Sequence, residues 1–224
     1  QMEDPKQAKG LVKREVIRVV TPGTITSVQA LDETKNNYLM GIVYLGDKMG
    51  VSVADITTGD FLMTEVDTER SLFDEIHKFS PSEIICNDAF SMSGISLEEI
   101  ENRYHFTMTS LESRFFQEEN CKRILREHFK VGNLDGLGLA DYDSGLIAAG
   151  AVMQYLYETQ KNTLSHMTTL IPYVTANYMI LDSSTRRNLE LLETMREKQK
   201  RGSLLWVLDK TRTAMGARLL RTWM

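Results

Sequence analysis

The sequence predicts an α/β fold, a mixed sheet with flanking helices, followed by an α-helical segment. Three observations predict it. Residues 38–45 (YLMGIVYL), 49–56 (MGVSVADI) and 60–66 (DFLMTEV) are short β-rich runs separated by two- or three-residue turn signals. From residue 68 to about 161 the apolar pattern alternates between helical and extended spacing. From Leu181 to Trp223 only helical spacing remains, broken by capping residues and a glycine.

Taken in order, residues 1–13 are polar and charged, with an Asp4-Pro5 break, and read as a tail or a severed connection. Glu15 to Val20 (EVIRVV) is β-branched and apolar and predicts a strand, which Thr21-Pro22-Gly23-Thr24 stops. Ile25 to Asn37 has little periodicity and reads as a linker. Asp47-Lys48 and Thr57-Thr58-Gly59 then link the three strands, and links this short favour an antiparallel meander. Thr68 to Phe79 is helical, with Leu72, Phe73 and Ile76 on one face, and Ser80-Pro81 ends it. Glu83 to Cys86 (EIIC) is a short buried strand reached by a helical crossover, hence parallel to an earlier strand.

Ser96 to Arg103 predicts a short acidic helix, and His105 to Thr109 a fifth strand. Gln117 to Phe129 is a helix presenting Cys121, Ile124, Leu125 and His128 together. A glycine-punctuated loop, Val131 to Leu139, precedes a long helix that Ser144 can cap and that runs to about Lys161. Only Gln154 is plainly polar between Gly145 and Tyr157, so this helix is expected to be buried all round. Thr163 to Pro172 reads as a crossing segment. The last stretch predicts three short helices: Asp182, Ser183 or Ser184 caps the first, Gly202 marks a stop, and Ser203 caps the next. Met215, Leu219 and Trp223 share one face of the third, and the whole 181–223 stretch has too little surface of its own to bury and must dock on something larger. That helical pattern is unbroken at Met224, so a fragment of a longer protein is expected.

At 224 residues there is room for one large domain or two small ones. The net charge of −5 disfavours a domain that grips DNA alone, since phosphate neutralisation needs a basic face. Cys86 and Cys121 fit neither a disulfide framework nor a zinc pattern and read as free thiols in a reducing compartment. The longest apolar run, Gly145 to Met153, is far short of the ~20 residues of a membrane-spanning helix. With no signal-peptide pattern, the expected location is cytoplasmic, with no membrane partner. There is no internal repeat, no low-complexity segment and no G-x-x-x-x-G-K-[ST] phosphate loop.

Asp55 is the most tempting chemical residue. A two-metal nuclease needs a cluster of acids, for which Asp60, Glu65 and Asp88 are the available companions. Nothing in the spacing forces them together, and Asp55 reads instead as a side chain bonding the Thr57-Thr58-Gly59 backbone. His77, His105, His128 and His166 are scattered, and none stands at ligand spacing from another or from a cysteine. The basic run Arg196 to Arg201 (REKQKR) reads as a solvated helix end rather than a phosphate contact. No catalytic, cofactor-binding or metal-binding residue is assigned.

The LD-x-x-TRRNLEL run from Leu181 to Leu191 resembles the start of the core domain of the MutS family. So does the ordered set Gly202, Ser203, Leu204, Asp209, Thr211, Met215, Gly216, Arg218, Leu219, Leu220 and Trp223. The VIRVVTPGT run, Val16 to Thr24, is similar to the end of that family's mismatch-reading domain, and the 131–161 loop and helix to the close of its connector. The resemblance implies a connector with the ribonuclease H-like fold, whose strand-and-helix order matches the pattern above. It also implies this division: 1–22, the tail of the mismatch-binding domain; 23–37, a linker; 38–165, the connector; 166–224, the truncated beginning of a helical core or lever domain. The implied parent is a homodimeric mismatch-recognition ATPase using ATP and Mg, with MutL and mismatched double-stranded DNA as partners. The chain itself is then a non-catalytic connector and MutL docking surface without a cofactor, and a ribonuclease H-like metal-dependent nuclease is the alternative. The family's Phe-x-Glu reading motif is missing from its expected place; Phe116 with Glu118 lies too late in the chain.

Overall fold

The computed structural model describes residues 15–27, 31–95, 105–139, 141–161, 164–174 and 181–224. The meander forms where the turn residues place it. Strands β1 (Leu39–Tyr44), β2 (Met49–Asp55) and β3 (Asp60–Val66) are consecutive and antiparallel, with Tyr44 opposite Met49 and Asp55 opposite Asp60. Gly59 takes φ +83 in the second turn and donates its N–H to the Asp55 carbonyl, a conformation a β-carbon would strain.

Helix α1 (Glu69–Phe79) is capped by the Thr68 hydroxyl, which accepts from the Ser71 N–H, and it ends at Ser80 with φ +44. It carries the chain over to β4 (Glu83–Cys86), parallel to β1 as the crossover requires. A single-turn helix α2 (Asp88–Ser91) follows, capped by Asn87. The helix expected at 96–103 lies outside the described residues. Strand β5 (Thr107–Ser110) pairs parallel with β4 but starts two residues later than expected. His105 sits at φ +55, outside the extended region, so the strand begins only after it. Helices α3 (Glu118–Phe129) and α4 (Asp143–Gln160) pack on each other and on the sheet.

Three further expectations are corrected. Ser144 does not cap α4: the cap position is Tyr142, which offers no side-chain bond. Instead Glu65 of β3 reaches across, its Oε1 accepting from the Ser144 hydroxyl at 2.7 Å and the Gly145 N–H at 3.0 Å. A cap supplied by another strand leaves no local signal. Residues 15–20 form no strand; Val16, Ile17, Val19 and Val20 are exposed, and the Val19 N–H bonds the Thr159 carbonyl of α4. A β-branched run becomes a strand only beside a partner edge, which it lacks among the described residues. The 163–172 crossing segment contributes a sixth strand, β6 (Ile171–Pro172), parallel to β3.

The described residues thus give an α/β arrangement with a mixed sheet in the order β5-β4-β1-β2-β3-β6. One face packs Leu39, Phe61, Met63 and Ile85 against Leu125 of α3 and Val152, Met153 and Leu156 of α4. The other packs Met40, Ile42, Val51, Val53 and Ile84 against Leu72 and Ile76 of α1 and against Phe90. Both faces being covered explains why all of β2 and β4 is buried. Helix α4 is buried over most of its length, as its unbroken apolar sequence requires. Its close contacts depend on small residues: a β-carbon on Gly50 would lie 2.0 Å from the Ser144 carbonyl oxygen.

Beyond residue 181 the chain forms α5 (Ser183–Asn188), α6 (Leu204–Leu208) and α7 (Ala214–Thr222), capped by Asp182, Ser203 and Thr213. Gly202, at φ +99, makes the expected break. Leu191 and Leu205 are buried and joined by a backbone hydrogen bond, whereas Met215, Leu219 and Trp223 are 81%, 51% and 74% exposed. The shared apolar face of α7 therefore points away from the described residues. Arg196 to Arg201 lies in exposed turns rather than at a helix end, with Lys200 paired to Asp209.

Candidate functional site

Polar residues gather at one end of the sheet, where β1, β4 and the β2–β3 turn meet the segments that flank them. Asn37, two residues before β1, is the hub and is 5% exposed. Its N–H donates to Asp55 Oδ2 at 3.0 Å, and its Nδ2 donates to the carbonyls of Pro22 at 3.0 Å and Ile25 at 3.4 Å. The Ser82 hydroxyl, just before β4, donates to its Oδ1 at 2.6 Å. Every polar group of the side chain is therefore satisfied by a different segment.

Glu83 opens β4 with a fully buried carboxylate. Its Oε1 accepts from the Tyr155 hydroxyl of α4 at 2.7 Å, and its Oε2 from the Thr21 hydroxyl at 2.6 Å and the Gly23 N–H at 2.8 Å. Gly23 is needed here, because a β-carbon would stand 3.0 Å from both Cβ and Oε2 of Glu83. Burial, with the adjoining Glu83 carboxylate, pushes the Tyr155 phenol up to about 12.

Asp55 ends β2 with no exposed surface. Its Oδ1 accepts from the Thr57 N–H and hydroxyl, each at 2.7 Å, which is the turn-bonding role expected of it. The Thr57 oxygen in turn accepts from Arg218 Nη1 of α7 at 3.2 Å, and Arg218 Nε donates to the Glu33 carbonyl at 2.9 Å. Arg218 is thus a structural contact between α7 and the β2–β3 turn. Burial pushes the Tyr38 phenol up, with Asp60 and Asp55 adding to it and a hydrogen bond from Thr222 of α7 opposing it.

A second joint fixes the exit from the sheet. The Tyr173 hydroxyl donates to buried Glu75 of α1 at 2.5 Å, and the Thr64 hydroxyl to the Tyr173 carbonyl at 2.7 Å. Arg70 of α1 meets Asp182, the cap of α5, at 3.1 Å.

Of the acids weighed as metal companions of Asp55, Asp60 lies beside it as its cross-strand partner, and Asp88 and Glu65 lie elsewhere. Asp60 bonds the Thr58 hydroxyl, Asp88 accepts from the Ser110 hydroxyl, and Glu65 caps α4 at the far end of the sheet. Glu65 pairs opposite Gly50, five residues along β2 from Asp55, or roughly 17 Å. Among the described residues no three His, Cys, Asp or Glu side chains form a group that could hold a metal. His128 has both ring nitrogens engaged, with the Tyr157 hydroxyl and the Met167 carbonyl, each at 2.6 Å. His166 bonds the Ile56 carbonyl. Phe116 packs with Val43, Cys121, Ile147 and Ala148 while Glu118 pairs with Lys122, so the late Phe-x-Glu is a packing element. Cys86 and Cys121 are buried free thiols, and burial pushes Cys121 up to about 12. No helix among the described residues is long and apolar enough to cross a membrane.

Sequence reasoning missed Asn37 and Glu83. Glu83 carried a signal, a single charge opening an otherwise apolar buried strand; Asn37 carried none.

Family models described as MutS domain I, MutS domain II and MutS domain III match residues 1–29, 37–168 and 184–224. The polar joint crosses all three matches: Thr21 to Ile25 in the first, Asn37, Asp55 and Glu83 in the second, Arg218 in the third. A protein of Lachnoclostridium phytofermentans named DNA mismatch repair protein MutS is 60% identical over the whole chain, which covers 24% of that relative. Proteins of the same name from Ruminiclostridium cellulolyticum and Acetivibrio thermocellus are 49% and 48% identical, again over the whole chain and 26% of each relative. The chain spans about a quarter of the length of these relatives. It belongs to the MutS family of DNA mismatch repair proteins.

Proposed function

We propose that this chain is the coupling piece of a mismatch-recognition ATPase: it joins the DNA-reading end to the levers leading to the ATPase, and it offers a docking face to MutL. In this reading residues 1–22 close the mismatch-binding domain, 23–37 form the linker, 38–165 form a ribonuclease H-like connector, and 166–224 begin the helical core. The parent is a cytoplasmic homodimer that binds mismatched duplex DNA and hydrolyses ATP with Mg, and the residues of this chain make and break no bond. The observation that carries the proposal is the buried polar joint, in which Asn37 and Glu83 bind the segment that precedes the sheet in the chain and Asp55, through Thr57, meets Arg218 of the helix that follows it. Directional hydrogen bonds in a buried setting fix relative orientation more tightly than apolar contact does.

A pull-down with MutL tests the docking role. Retention of MutL by the 224-residue chain is expected; loss of retention with the fold intact would refute it. The net charge of −5 supports a second expectation, that the chain alone binds duplex DNA feebly at low salt. Tight, strongly salt-dependent binding in a titration would contradict it.

A further inference from the structure

We propose that Arg218, Thr57, Asp55 and Asn37 form a relay through which the seating of α7 tightens the seating of the Thr21–Ile25 segment. This inference rests on the coupling role proposed above and names the residues that carry it. The bonds run in one unbroken series. Arg218 Nη1 donates to Thr57 Oγ1 at 3.2 Å, and Thr57 Oγ1 donates to Asp55 Oδ1 at 2.7 Å. Asn37 N–H donates to Asp55 Oδ2 at 3.0 Å, and Asn37 Nδ2 donates to the Pro22 and Ile25 carbonyls.

The Thr57 hydroxyl sets the direction. It has one proton, and giving it to Asp55 leaves its lone pairs for the guanidinium. Arg218 therefore holds the hydroxyl in the orientation in which it serves Asp55. Asp55, with no exposed surface, has no solvent to replace a lost donor, so a disturbed Thr57 is felt at Asn37. Asn37 in turn has two of its donor bonds committed to the 21–25 segment. Arg218 also grips the Glu33 carbonyl, so withdrawing α7 loosens the approach to Asn37 from the chain side as well. Bonds in series inside a low-dielectric site polarise one another, which is the physical basis for coupling over this distance.

The test is amide hydrogen exchange on the 224-residue chain, because a pathway of contacts becomes coupling only when a change at one end is read at the other. The readouts are Gly23 and Thr24, whose N–H groups are held by Glu83 and by the Thr21 carbonyl. Thr57→Val removes the relay hydroxyl at nearly constant volume, Thr57→Ser keeps it, and Arg218→Ala removes the input. Thr57→Val and Arg218→Ala are expected to speed exchange at Gly23 and Thr24 by about fivefold or more. Thr57→Ser should match the parent, and Val51 and Val53 in β2 should stay protected in all three. Should Thr57→Val fail to fold, Arg218→Ala, at a half-exposed position, decides alone. Parent-like exchange at Gly23 and Thr24, whether or not α7 itself loosens, would overturn the relay. MutL retention by the same variants separates that failure from failure of the docking role.

Discussion

Removing the Glu83 carboxylate is expected to free the segment that enters the sheet. Glu83→Ala strips acceptors from three donors at once: the Tyr155 hydroxyl, the Thr21 hydroxyl and the Gly23 N–H. The backbone N–H cannot turn away, and a buried donor left without a partner costs about 1–3 kcal/mol. The Thr21 hydroxyl loses less, because it already lies 2.9 Å from the Thr24 hydroxyl and can turn to it. Adding the lost packing of a side chain only 2% exposed brings the expected loss to about 2–4 kcal/mol. For a chain of this size that lowers the melting temperature by roughly 5–12 °C. Glu83→Gln should lose only about 1 kcal/mol, since its carbonyl can serve Thr21 and Gly23 while its amide donates to the Tyr155 oxygen. Thermal unfolding followed by circular dichroism measures the shift, and trypsin cleavage after Arg18 reports release of the segment. Arg18 bonds the Thr24 carbonyl and the Thr26 hydroxyl and should be cut faster once 21–25 comes away. A Glu83→Ala protein that melts within a degree of the parent, and is cut after Arg18 at the parent rate, would refute the reasoning.

Gly50→Ala should destabilise the chain by about 3 kcal/mol, because its β-carbon would overlap the Ser144 carbonyl and push α4 off β2, whereas Gly132→Ala, with nothing within 4 Å, should change the denaturation midpoint little. Matching midpoints for the two would be inconsistent with this packing. Cys86 and Cys121 have no exposed surface and burial raises both thiols, so a thiolate-selective disulfide reagent should label neither at pH 8 and both after denaturation; labelling of the native protein would count against it. Tyr155 gives a pH signature. Below pH 10 its phenol is protonated folded and unfolded, and the contribution is complete; between about 10 and 12 only the folded state keeps the proton, so stability falls as pH rises. Tyr155→Phe should lose less stability than the parent between pH 9 and pH 11, and equal losses would show that this phenol is not the group responsible.

The sequence was most legible where the structure is local. The meander, the α1 crossover, the parallel β4 and the buried α4 follow from turn residues and hydrophobic period, which act within a few residues. Three of the failures have one cause. EVIRVV has strand composition but no neighbouring edge among the described residues, the α4 cap comes from Glu65 on β3, and β6 exists because residue 171 returns beside Leu62. Each depends on a partner distant in the chain, and periodicity carries no information about distant partners. The joint was half legible for the same reason. Asp55 bonds Thr57 two residues on, and that part could be read; its bond to Asn37 and the approach of Arg218 span 18 and 161 residues and could not.

The placement of the buried carboxylates argues for orientation rather than chemistry. Glu83, Asp55 and Glu75 each sit where one segment hands over to the next, and each takes donors from the incoming piece. A reaction centre would turn such groups toward a shared cavity and leave lone pairs for a substrate or ion. Here the lone pairs are spent on backbone N–H groups and hydroxyls at Glu83 and Asp55, and on the Tyr173 hydroxyl and the Lys78 ammonium at Glu75. Apolar residues of similar volume would fill the same space at a lower desolvation cost. They would also let the neighbouring segment slide or rotate, because apolar contact has no preferred angle. Hydrogen bonds to a buried carboxylate lose strength steeply as their angles open, so each joint resists turning as well as separation. In the coupling role proposed above that resistance is needed at the joints, and along β1, β2 and β4 the apolar core is left to supply rigidity between them.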